Sequence, residues 1–286
     1  MSQWQGHSDK DKYYFVVDSK PDEVVDESKP DTIFCTAFVN TASCINGVKR
    51  PDLPWFKQYK ECESLEESKD VLKRLIREFM NGNFQDFYVW VLSSKFSTID
   101  RNGMEFLEGA RREINDLSID ENYVRYKGDR FKLSKAKMLI WYNYCLCMMA
   151  PSLVDKTLKW ERNKGVFLID RLGDSDKRIQ KFMRMIMFES SLNKLWVRCN
   201  EEHKNKLEYI GFEFGSHLDK FGKIIPAENS MQASLVDWIV LATYSAKNGL
   251  ENRDPDFQKN LINFVKILDS ANCLNGIHFN GKIRWE

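Results

Sequence analysis

Asp237 stands within Leu235-Val236-Asp237-Trp238-Ile239-Val240-Leu241, a helical run that is apolar on nearly every side. A buried carboxylate without a partner costs several kcal/mol even after the surroundings relax, so it must reach water, be protonated, pair with a base or bind a cation. Two more aspartates follow directly on strand-like runs: Asp18 after Tyr13 to Val17, and Asp170 after Val166 to Ile169. Functional groups in open α/β sheets gather at strand ends, where the backbones diverge and a crevice opens. Each acid also has a plain reading. Asp is a common turn residue, and Asp237 can emerge on a narrow polar stripe with Ser230, Ser234 and Thr243. Taken together, though, the three come from two strands and a helix expected to touch one sheet. Clustered carboxylates repel, and a divalent cation is the usual way to hold them together. Hard oxygen ligands of this kind suit Mg²⁺ or Mn²⁺. Such a metal would activate a water and stabilise a phosphodiester transition state.

The elements that must carry these acids can be followed along the chain. The aromatic and β-branched run Tyr13 to Val17 predicts a strand. Ser-Lys-Pro-Asp then occurs at residues 19–22 and again at 28–31, an exposed connector too short to signal a repeat fold. Thr32 to Asn40 predicts a second strand, so the opening reads as a hairpin with a long loop. Pro51 and Pro54 mark another loop. Ser64 and Glu67 make a capping box ahead of a helix through Phe79, with Gly82 as its stop. A strand over Asp86 to Leu92 and a polar helix around Met104 to Leu117 follow, then a turn-rich stretch to Phe131. Ser134 caps a long apolar helix through Met149, and Ser152 with Asp155 caps a shorter one ending near Gly165.

Val166 to Ile169 is short and continuously apolar, as a central strand covered on both faces should be. A helix over Ser175 to Phe188 and a strand within Lys206 to Phe214 come next. Asn229 or Ser230 starts the helix that carries Asp237 and stops at Gly249. Asp254 and Pro255 set a cap and an N1 proline before a last helix to about Ser270. Asn280-Gly281 signals a final hairpin. The expected fold is α/β, a mixed central sheet flanked by helices. No Pro/Gly/Ser-rich stretch divides the 286 residues, so a single domain is expected, with a helical insertion near 100–163 and a C-terminal helix plus hairpin over 250–286.

Composition narrows the function classes. With a formal charge of +1, the chain gives no global electrostatic reason to seek out nucleic acid or an anionic membrane, although net charge hides local patches. Seven cysteines, odd in number and without a CxxC pair, suit neither a zinc site nor a disulfide framework. They read as small hydrophobes in a reducing compartment. The N-terminus is polar, and the most apolar stretch, Met138 to Ala150, is interrupted by Asn143 and falls short of the ~20 residues that span a bilayer. A cytoplasmic protein with no membrane partner is expected. His7, His203, His217 and His278 are too scattered for a ligand motif, with His217 the one nearest the Asp237 helix. Lys95 and Arg171 read as solvated or ion-paired cations, with phosphate contact the alternative. No P-loop, GxGxxG or GxSxG is present.

The runs Tyr13-Tyr14-Phe15-Val16-Val17-Asp18, Ile33 to Asn40, Phe167-Leu168-Ile169-Asp170-Arg171 and Ser234-Leu235-Val236-Asp237 together resemble an uncharacterised bacterial domain family of the ribonuclease H-like superfamily. Its members open with a strand ending in a Tyr-Ile-Asp-Glu-Ser-Gly-like motif, carry a second Asp after a central strand, and end on a Gln-Leu-Ala-Asp-like helix. The resemblance covers roughly residues 13–248 through short, degenerate motifs. It implies a ribonuclease H-like fold and a metal-dependent nuclease, with Asp18, Asp170 and Asp237 at the acidic positions, Mg²⁺ or Mn²⁺ as cofactor, and DNA or RNA as partner. The chain departs from the pattern at Ser19, where the family often has Glu, and at Ser234, where it has Gln, with Gln232 out of phase. Val24-Val25-Asp26-Glu27-Ser28-Lys29 matches the opening motif more literally, and on that alignment Asp26 and Glu27 replace Asp18. The alternative function is a non-catalytic binding or interaction protein that keeps the fold.

Overall fold

The computed structural model describes residues 12–21, 31–41, 56–81, 87–155, 164–169, 178, 181–183, 185–186, 212–216, 231–249 and 254–270. They form a mixed α/β structure. Strands β1 (Lys12–Lys20), β2 (Ile33–Thr41), β3 (Phe87–Lys95), β7 (Lys164–Ile169) and β8 (Phe212–Ser216) make a five-stranded sheet in the order β3-β2-β1-β7-β8. β1–β2 and β2–β3 pair antiparallel, whereas β1–β7 and β7–β8 pair parallel. A second, antiparallel sheet comprises β4 (Leu117–Ile119), β5 (Tyr123–Tyr126) and β6 (Asp129–Lys132). The helices are α1 (Leu65–Met80), α2 (Phe96–Glu113), α3 (Leu133–Asp155), α4 (Met231–Asn248) and α5 (Pro255–Ser270). Among the described residues, no helix is long and apolar enough to cross a membrane.

The sheet is covered on both faces, which explains why its strands are apolar at successive positions and do not alternate with polar ones. Val16, Cys35, Ala37, Val39, Val89 and Val91 pack on one side with residues of α1, α4 and α5. Val17, Phe34, Phe38, Trp90 and Leu92 point the other way, into a core shared with α2, α3 and the small sheet. Phe182, Met183, Met185 and Ile186, from the stretch predicted as a helix over 175–188, join that second core.

Several predicted bounds shift. β3 continues to Lys95 and α2 starts at Phe96, eight positions ahead of the expected Met104. The stretch read as turn-rich holds the three short strands of the small sheet, whose runs are too brief for their period-two pattern to stand out. α3 runs through Pro151 to Asp155 as one helix where two were expected, because an interior proline removes one hydrogen bond and bends a helix without having to end it. Ser64 does cap α1, accepting the N–H of Glu67 at 3.1 Å. The reciprocal half of the box is displaced: Glu67 accepts from the N–H of Glu63, and its other oxygen takes the Lys57 ammonium at 2.7 Å. Gly82 and the hairpin around Asn280-Gly281 lie outside the described residues.

Beneath α3, a buried polar cluster fastens the sheet. Ser19 Oγ lies 2.6 Å from Tyr142 Oη and 3.1 Å from Thr36 Oγ1, and Trp141 donates its indole N–H to Thr36 Oγ1 at 2.9 Å. Four polar groups in an apolar layer thus satisfy one another, which fixes one docking of α3 on β1 and β2.

Candidate functional site

β1 and β7 are parallel neighbours with Val17 opposite Ile169, but β1 continues to Lys20, so Asp18, expected to follow the strand, lies within it just past the end of β7. Asp18 is half-buried, and its Oδ1 accepts the N–H of Ser19 at 2.8 Å. Strand alternation places Asp18 on the face of Val16, the one that α4 covers. Ser19 points to the opposite face, into the cluster with Thr36 and Tyr142. The position where the family motif often has Glu is therefore turned away from Asp18 and contributes no oxygen beside it.

Asp237 is buried, 1% exposed, on α4. Its Oδ2 accepts the N–H of Tyr59 at 2.5 Å. The same helix face donates from Ser234 Oγ to the Phe56 carbonyl at 2.5 Å and from Trp238 Nε1 to the Lys57 carbonyl at 2.8 Å. The Tyr59 ring meets Trp238 edge-on at 5.5 Å and stacks on Phe257 at 6.2 Å. Residues 56–59 lead into the 3₁₀ turn Tyr59–Glu61 and then α1, so the Tyr59 N–H is one of the donors that a helical turn leaves without an internal partner. A carboxylate at the positive end of that turn is the strongest acceptor available. The polar stripe read from the sequence thus divides. Ser234 and Asp237 bind the 56–59 backbone, Thr243 returns its hydroxyl to a carbonyl of α4 itself, as does Ser245, which the stripe did not include, and Ser230 lies outside the described residues.

At its other end, α4 holds the start of β2. Asn248 donates Nδ2 to the Ile33 carbonyl at 2.8 Å and accepts the Ile33 N–H at 2.7 Å. Because Ile33 lies at the Lys20 end of β1, α4 runs in the same sense as β1. Gly249, at φ 70°, then ends the helix in the left-handed conformation that glycine adopts without strain.

Asp170, Arg171, the alternative pair Asp26 and Glu27, and the four histidines all lie outside the described residues. Among the described residues no three His, Cys, Asp or Glu side chains gather as a metal-holding group, a finding that covers Asp18 and Asp237 but not Asp170. Lys95 pairs with Asp31 at 2.7 Å on the surface. Among the described residues, Cys35, Cys62 and Cys145 form no disulfide. Burial pushes the Cys35 thiol up to about 12, which removes it as a nucleophile. Burial also raises Cys62, with the Glu67 and Asp237 charges adding to the shift.

The sequence reading missed the Ser19–Tyr142 cluster and the role of residues 56–59. A Thr inside an apolar strand, and the adjacent pair Trp141-Tyr142 in an apolar helix, were the available signals: each carries a polar tip that must find a partner when buried. Compared with known proteins, the chain matches no family model, no curated protein and no solved structure.

Proposed function

We propose that the chain is a ribonuclease H-like hydrolase of nucleic-acid phosphodiesters that depends on Mg²⁺ or Mn²⁺, with Asp18, Asp170 and Asp237 as the acids that hold the metal. The observation that carries this reading is the position of Asp18. It lies within the central strand β1, paired with Ala37 and just past the end of the parallel neighbour β7, on the face covered by α4. The mixed sheet β3-β2-β1-β7-β8, antiparallel up to β1 and parallel beyond it, with helices on both faces, supports the α/β part of this reading.

The donor chemistry fits. Aspartate oxygens are the hard ligands these cations prefer. The bond from Tyr59 is compatible with a ligand role for Asp237, because a carboxylate offers about four lone-pair sites over its two oxygens. A backbone N–H on a ligating carboxylate also fixes its orientation. When bound, the metal would lower the pKa of a water and offset charge on the phosphoryl oxygens. The chain's own part is to aim the carboxylates: Ser19 N–H orients Asp18, and Tyr59 N–H orients Asp237.

Calorimetric titration with MnCl₂ tests the proposal. Wild type should bind, Asp170→Asn should abolish the heat, and unchanged binding in that variant removes the metal reading. One observation favours a second reading, a non-catalytic interaction protein with this fold: Ser19 faces away from Asp18, so the site lacks a neighbouring carboxylate there. Metal binding without turnover on a panel of DNA and RNA substrates would select it.

A further inference from the structure

β1 outlasts one of its neighbours. Its described pairing with β7 stops at Val17 opposite Ile169, whereas its pairing with β2 continues through Asp18–Ala37, Ser19–Thr36 and Lys20–Cys35. Among the described residues, the backbone that carries Asp18 is thus braced by a strand on one side. The polar cluster beneath α3 meets the chain at this point. Ser19 Oγ lies 2.6 Å from Tyr142 Oη and 3.1 Å from Thr36 Oγ1, and Trp141 Nε1 holds Thr36 in turn at 2.9 Å. Ser19 and Tyr142 are both buried, which strengthens the bond between them. The Tyr142 ring is itself packed edge-on against Phe38 at 6.5 Å. Ser19 then donates its N–H to Asp18 Oδ1 at 2.8 Å. Successive residues of a strand face opposite ways, so α3 grips Ser19 on one face while Asp18 presents its carboxylate on the other.

We propose that Tyr142 is a positioning residue for Asp18, acting through Ser19 across the thickness of the sheet. The inference rests on the proposed function, in which Asp18 is a metal ligand. A ligand must be held within about 0.5 Å of its working geometry by partners that are themselves locked. The Tyr142 hydroxyl fixes the Ser19 rotamer and steadies the peptide that joins residues 18 and 19, and so the direction of the N–H that Asp18 accepts. Without that hydroxyl, the strand end samples more orientations, and ordering the carboxylate on a cation costs more entropy. Ser19, where the family motif often has Glu, supports the first acid from behind and adds no oxygen beside it.

The test is the affinity for Mn²⁺, measured by calorimetry on the full chain and its variants. Tyr142→Phe deletes one hydroxyl, and Ser19→Ala deletes the other while keeping the backbone N–H. Each should bind about tenfold more weakly than wild type, the low end of the loss seen when an outer partner of a metal ligand is removed. The double variant should bind no more weakly than either single one, because both cut the same link. Val124→Ala, which truncates a buried side chain of the small sheet, should lower the melting temperature and leave the affinity unchanged. Wild-type affinity in Tyr142→Phe would overturn this inference and leave the proposed function standing. Losses that multiply in the double variant, or an equal loss in Val124→Ala, would overturn it as well. A wild type that binds no Mn²⁺ would remove the proposed function and this inference together.

Discussion

Asp237 Oδ2 and the backbone nitrogen of Tyr59 lie 2.5 Å apart, which ties the interior of α4 to the turn that introduces α1. This bond answers the question that an aspartate in an apolar helix raises: the carboxylate is buried because it serves a backbone donor buried with it. Removing the acceptor leaves that N–H desolvated, and a hydrogen bond to a charged group contributes about 1.5–3 kcal/mol. Asp237→Ala should therefore lower the urea midpoint by an equivalent amount with little change in m. Ser234→Ala, at the neighbouring Phe56 carbonyl, should cost about 1 kcal/mol. Additive costs in the double variant would contradict the picture of one shared clasp.

The Ser19–Tyr142 contact makes a second, separable claim. Tyr142→Phe keeps the ring and its edge-on packing against Phe38, at 6.5 Å, and deletes only the hydroxyl. A loss of about 1 kcal/mol is expected. A double-mutant cycle with Ser19→Ala should return a coupling on the order of 0.5–1.5 kcal/mol. Zero coupling would mean that the cluster does not fasten α3 to the sheet.

Gly103 sets helix propensity against packing. It lies in α2, where alanine is favoured over glycine by about 1 kcal/mol. A Cβ there would sit 2.8 Å from Lys137 Cγ and 3.1 Å from its Cβ, inside α3. Lys137 is buried and paired with Asp100, so its stem has little room to yield. Overpacking of this kind costs about 1–3 kcal/mol, and it should win. Gly103→Ala is expected to lower the melting temperature, and a rise would show that the helices separate easily.

Asp254 predicts a pH dependence. Its hydrogen bond from Lys69 comes first, then the backbone N–H groups of Phe257 and Asp256, and together they hold its carboxyl below the ordinary 3.8. A folded value below the unfolded one contributes stability that is complete above the unfolded value and is lost as pH falls through the folded one. Asp254→Asn can still cap α5 but cannot pair with Lys69. The gap in urea midpoint between wild type and this variant should hold steady down to about pH 5 and close at lower pH. A gap that persisted unchanged to the onset of acid unfolding would rule this out.

How much of this was legible in advance varies with the range of the forces involved. The Asp254–Pro255 start of α5 and the Gly249 stop of α4 depend on neighbours in sequence, and they fall where expected. The mixed sheet was legible because Val166 to Ile169 is apolar on both parities, as only a covered strand can be. The small sheet was not: its strands of three or four residues are too short to show a period-two pattern, even though α2 and α3, on which they pack, are their neighbours in sequence. Asp237 was singled out for a sound reason, the cost of burying charge. Its partner was hidden because a backbone N–H carries no side-chain signature. Asp18 and the end of β7 are brought together by direct parallel pairing of strands far apart in sequence, a relationship that the similar strand-end motifs alone could only suggest.

The attachments of α4 also bear on synthesis. Segments made early, at Ile33 and at residues 56–59, wait for Asn248, Asp237, Ser234 and Trp238, which emerge from the ribosome much later. Until then one face of β1 and β2 lacks the cover of α4 and α5, and a nascent chain must shelter that apolar surface from its neighbours. Completion of this half of the core is set by the order of translation, and a stalled or prematurely ended chain would leave a sticky sheet rather than a smaller folded unit.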